Sequence, residues 1–149
     1  MLTSTLLWLH LTGVIVWVGG MFFAHQCLRP AALQVLEPPQ RLALWAATLQ
    51  RFLRWAAAAV LVVLGSGVAL LARAGFAAAP PGWHVMAAGG LVMAVLFVLV
   101  YGVRFPRLRD DVAAARWPAA AAQLNTIRRL VGANLLLAVL VIAAAVSAR

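Results

Sequence analysis

The sequence predicts an all-α fold: a four-helix transmembrane bundle in a single integral membrane domain, residues 1–149, with both termini outside and cytoplasmic helical extensions before helices 2 and 4. Three observations predict it. The chain is 66% hydrophobic and only 10% charged, more apolar surface than a soluble domain of this size can bury. The excess gathers into four runs at 5–24, 56–72, 85–103 and 130–148. Each approaches the ~20 residues needed to cross ~30 Å of hydrocarbon at 1.5 Å per residue. Finally, the twelve basic residues are all arginine and are unevenly placed. Ten lie in or beside the first and third connections, whereas Arg73 and Arg149 fall on the other side. By the positive-inside rule the two basic connections are cytoplasmic.

Segment 1 is expected to be a retained span rather than a cleaved leader. Met1–Thr5 carries no side-chain charge, and Phe22, Phe23, His25 and Gln26 follow where small residues would mark a cleavage site. Prolines at 30, 38 and 39 stop this helix and open the next, because proline tolerates a first turn. From Gln40 to Ala72 apolar residues recur three or four apart, predicting one helix of about 50 Å that starts in the cytoplasm and becomes segment 2. The outer connection, RAGFAAAPPGW, is short and proline-rich. Segment 3 ends in RFPRLRDD, where Pro106 kinks or stops the helix and Asp110 or Asp111 caps a cytoplasmic one. Trp117-Pro118 starts the helix leading into segment 4. Segments 1 and 3 also share a histidine near the outer end, a faint sign of a repeat.

The charge of +9 points to lipid head groups rather than nucleic acid, because no recognition module accompanies it. Cys27 is the only cysteine, so no disulfide forms within the chain.

The chemistry rests on the histidines. His10 lies about five residues into segment 1 and His84 in the first turn of segment 3, so both imidazoles occupy the outer leaflet. His25 is about 22 Å farther along the axis, near the cytoplasmic surface. An ionisable group inside a membrane marks a functional site by default. Two accounts compete with a shared site: a hydrogen bond from His10 to a neighbouring helix, and an interfacial role for His84 beside Trp83. Gly13 shares the His10 face and leaves room beside the ring. The pair suits haem b, one axial ligand from each side, with Trp17 lining the interior and Arg73 at the outer rim for the propionates. Copper is the alternative. Imidazole with thioether suits it, and Met86 follows His84, although residues two apart on a helix diverge. A copper relay also needs ligands at mid-depth. There Met93 offers one, with Met21 and Cys27 toward the opposite surface. Asn134, just inside segment 4, is expected to bond across helices.

The stretches LHLTGVIVWVGGMFFAHQCLRPAAL, RFLRWAAAAVLVVLGSGVALL, GWHVMAAGGLVMAVLFVLVYGVRFPRLR and IRRLVGANLLLAVLVI resemble the CopD-like family of copper-resistance or copper-import membrane proteins. The resemblance covers nearly the whole chain, and its most specific parts are H-x6-W-x-G-G and IRR-x4-N. More distantly, the chain is similar to the HemJ-type protoporphyrinogen oxidases, four-span proteins that bind haem b. His10 matches their first-helix histidine. Their third-helix lysine has no counterpart, since this chain contains no lysine. The resemblance therefore bears on haem binding more than on the oxidase reaction.

The sequence thus leads first to a haem b protein ligated by His10 and His84 that transfers electrons, as an oxidoreductase component. The alternatives are copper binding or transport without haem, and a structural or partner-binding subunit. Expected partners are the lipid bilayer, a second copy of the chain, and a redox partner in the membrane or periplasm. The expected location is the bacterial inner membrane, multi-pass, with periplasmic termini.

Overall fold

Residues 1–147 are described by the structure, a computed structural model. Position 148, the end of segment 4 as read from sequence, and Arg149 lie outside them. Four long helices account for nearly all of the described chain: α1 (Leu2–Val35), α2 (Pro38–Ala74), α3 (Pro81–Ala113) and α4 (Trp117–Ser147). Each is long and apolar enough to cross a membrane. With 31 to 37 residues apiece they run roughly 46–55 Å, well beyond the hydrocarbon.

The surplus length corrects one expectation. The sequence predicts extensions only before the second and fourth spans, with Pro30 ending the first helix. Instead α1 continues through Pro30 to Val35, and α3 continues through Pro106 to Ala113. The reason is local and is used twice. A π turn at Phe23–Leu28 precedes Pro30, and another at Val100–Arg104 precedes Pro106. Proline lacks the N–H that closes an α turn and crowds the carbonyl four residues back. A π turn widens the helix there, so the chain absorbs the proline and carries on. The shared device strengthens the likeness between α1 and α3 beyond their outer histidines. All four helices therefore prolong the bundle at its basic end.

The connections follow from their residues. Glu37 and Gln40 form a reciprocal capping box at the start of α2, with Pro38 in the first turn. Gly75, at φ 83°, ends α2 in a conformation that side chains rarely adopt. Asp110 and Asp111 do not cap a new helix but complete the last turn of α3. Asp110 pairs with the adjacent Arg109, while Arg116 donates from Nε and Nη2 to Asp111 Oδ1 at 2.9 and 2.7 Å. That pair clamps the tight turn into α4, where Ala115 takes a positive φ of 52°.

In the bundle α1 lies along α2, and α3 along α4. Small residues set the spacing. A Cβ built on Gly13 would stand 2.7 Å from Val63 Cγ2, and Gly20 and Gly89 are met as closely by Phe52 and Val141. The halves join at mid-depth, where Trp17 meets Phe97 edge-on at 6.2 Å between centroids. Leu42, Trp45, Leu108, Leu124 and Ile127 form a buried core at the basic end. Ile15, Leu61, Leu91 and Leu136 point outward, as lipid-facing residues do.

Candidate functional site

Near the termini, α1 presents His10 to α2. Its Nδ1 lies 3.1 Å from Ser66 Oγ, and its ring fills the space beside Gly67. Ser66 sits within reach of the Val62 and Val63 carbonyls, to which its hydroxyl donates. With that proton engaged, the serine oxygen is free to accept from a His10 Nδ1–H, the tautomer that leaves a lone pair on Nε2. Anchoring one imidazole nitrogen so that the other is presented is how histidine is readied for a metal. Ser66 is absent from the sequence reading. Its signal was available, since it is the one hydroxyl in the apolar run 56–72.

His84 is exposed in the first turn of α3. Its Nε2 lies 3.0 Å from the Phe76 carbonyl and its Nδ1 3.4 Å from that of Pro80, so the ring folds back on the outer connection. The hydrogen bonds of the two imidazoles thus lead to different partners. Of the other sequence-derived site residues, Gly13 has its neighbouring space taken by Val63 and Ala59 of α2. Trp17 is buried against Phe97, and Met86 is half-buried on α3. Arg73 Nε donates to Thr3 Oγ1 at 3.3 Å, tying the end of α2 to the start of α1. Among the described residues no three His, Cys, Asp or Glu side chains converge as a metal site.

A buried amide joins three helices instead. Asn134 of α4, only 3% exposed, donates from Nδ2 to the Met93 carbonyl at 3.2 Å and lies 4.0 Å from Met21 Sδ. The expected bond across helices is therefore present. Met21 and Met93 are both buried, and Asn134 lies against the sulfur of the first and the backbone carbonyl of the second, where α1, α3 and α4 join. The Asn134 Oδ1 atom is buried without a partner. Sequence spacing could not place Met21 and the Met93 carbonyl beside Asn134, because that depends on which faces of two nearly uniformly apolar helices turn inward.

Helices of this length, with apolar side chains outside and polar contacts inside, define a multi-pass helical membrane protein. Residues 46–148, over two thirds of the chain, match the family profile CopD, described as copper resistance protein D. The chain belongs to the CopD family. No curated protein and no solved structure matches it.

Proposed function

We propose that this protein handles copper as its cargo in the bacterial inner membrane, with the termini on the extracytoplasmic side and the arginine-rich end in the cytoplasm. Membership of the CopD family is the observation that carries this reading. Two features of the site support it. His10 offers a neutral Nε2 near the outer end, held by Ser66. Farther in, two methionines are buried, Met21 with its sulfur 4.0 Å from the Asn134 amide and Met93 with its backbone carbonyl bonded to that amide. Imidazole and thioether are donors that favour copper, and thioethers favour Cu(I) in particular. Copper arriving at His10 would find softer donors deeper along the same helix. The outward-first order follows from the arginine distribution, since the positive-inside rule places His10 away from the cytoplasm.

The test uses the full chain purified in uncharged detergent, loaded with Cu(I) under reducing conditions and assayed for bound copper by elemental analysis. Bound copper should approach stoichiometry in the wild type and fall at least about tenfold in affinity in Met21→Leu/Met93→Leu and in His10→Ala. A visible spectrum of the same preparation decides against haem or for it. Sharp reduced bands of a six-coordinate b-type centre, abolished by His10→Ala and His84→Ala, would overturn the copper reading in favour of haem b and electron transfer. Absence of both copper and haem after loading would leave the structural-subunit reading in its place.

A further inference from the structure

The basic end holds a group of cationic and N–H donors for which the chain supplies no anion. Two adjoining clefts meet there at His25 and Arg29. The inner one is narrow, about 30 Å³, runs between α1, α2 and α4 and is bounded by Met21, Trp45, Leu124 and Arg128 among others. The outer one is roomier, about 220 Å³, and is bounded by Gln26, Pro30 and Leu33 of α1. Four nitrogens around the inner cleft are buried without a hydrogen-bond partner: His25 Nδ1, Arg29 Nε, Trp45 Nε1 and Arg128 Nε. Trp45 as a whole is 4% exposed, so its indole N–H has no recourse to solvent. The Arg128 guanidinium lies over the Trp45 ring, 5.8 Å from its centroid, where burial weighs most against its charge and the charges of Arg29 and Arg41 add to that cost.

Three arginines brought together in this way are costly unless a negative charge joins them. The protein cannot provide one. It has only three acidic side chains, and each is engaged elsewhere. Glu37 caps α2, Asp110 pairs with Arg109, and Asp111 pairs with Arg116. The unpartnered donors therefore point to an anion from outside. Arginine's fork and the indole N–H match the oxygens of a phosphate group. The setting favours one attached to lipid. Arg29 lies just beyond the apolar run of α1 and Arg128 just before that of α4, at head-group level, and the inner cleft is otherwise walled by apolar side chains such as Leu49, Phe52 and Val131.

We infer that the cleft bounded by His25, Arg29, Trp45 and Arg128 is a specific site for a phosphate-bearing anion, occupied in the membrane by an anionic phospholipid whose phosphate meets the arginines while its chain follows the apolar wall. It lies away from His10, and although Met21 borders the inner cleft, the anion site uses its cationic and N–H donors and does not depend on the thioether. Because the sequence already places arginines near lipid head groups in general, what the structure adds is selectivity: two arginines matter and others of equal charge do not.

The full chain in uncharged detergent is titrated with phosphatidylglycerol, with phosphatidylcholine and with inorganic phosphate, following thermal stability and lipids retained in native mass spectra. Phosphatidylglycerol should raise the melting temperature saturably and remain bound at about one per chain, with phosphatidylcholine doing neither. Arg29→Gln/Arg128→Gln should weaken that binding by roughly tenfold or more, whereas Arg51→Gln/Arg54→Gln, the same change in charge on exposed arginines of α2, should leave it intact. Inorganic phosphate alone reproducing the full effect would uphold the anion site and assign it to a soluble ligand. Equal effects of the two lipids on the wild type, or equal losses in the two double variants, would overturn the proposal. The wild-type comparison decides by itself if the Arg29/Arg128 variant does not fold, and Arg128→Gln alone gives a milder second probe.

Discussion

Substituting Gly13 by alanine tests how closely α1 and α2 must approach. The added Cβ would lie 2.7 Å from Val63 Cγ2 and 3.2 Å from the Ala59 carbonyl oxygen. Carbon atoms rest about 3.5–4.0 Å apart, so the valine methyl must retreat by roughly 1 Å. The carbonyl belongs to the backbone of α2 and moves only with the helix. Overpacking of this kind costs about 1–3 kcal/mol, against which alanine recovers about 0.5–1 kcal/mol of helix propensity. Gly65→Ala is the control, because nothing stands within 4 Å of its Cβ position. It should keep the propensity gain without a clash. Reversible unfolding in mixed micelles should therefore rank Gly13→Ala below Gly65→Ala by about 1–3 kcal/mol. Adding Val63→Ala should restore only part of the loss, since the Ala59 carbonyl stays in place. Equal stability of Gly13→Ala and Gly65→Ala would refute the claim that this glycine sets the helix spacing.

Other outcomes follow from single contacts. Asn134→Leu removes the bond to the Met93 carbonyl and should destabilise the bundle by about 0.6 kcal/mol, up to roughly 1.7, in the same unfolding assay. Asp111→Ala releases Arg116 and loosens the α3–α4 turn; because Arg116 is largely exposed, a loss of about 1 kcal/mol is expected, shrinking as salt is raised. Ser66→Ala should lower copper affinity at His10 without removing it, by about tenfold in the loading assay, since it frees the imidazole to rotate. For orientation, the exposed Cys27 serves as a probe. A membrane-impermeant maleimide should label it in inside-out vesicles and not in intact spheroplasts, and the reverse pattern would invert the proposed topology.

Much of the architecture is legible from residues alone because the bilayer imposes it. Apolar runs of spanning length, prolines at 38 and 118 in first turns, and the Glu37–Gln40 cap act through neighbours in sequence, so their outcome can be read along the chain. Pro30 and Pro106 show where that reading stops. A proline within a helix reads as an end, but a preceding π turn lets the helix continue, and nothing in the local spelling announces that turn.

The site divides in the same way. That His10 is an imidazole inside the membrane is plain from the sequence; that its Nδ1 meets Ser66 depends on how α1 and α2 are rotated against each other. Met21, Met93 and Asn134 are separated by dozens of residues, and Arg128 is as far from Arg29 and Trp45. Lipid is as apolar as the side chains it touches, so hydrophobicity drives α1 and α3 into the membrane without choosing which face turns inward. Hydropathy and arginine placement thus determined four spans and a basic end. Glycine contacts, π turns and a few buried polar groups, which act only once helices meet, decided what those spans bring together.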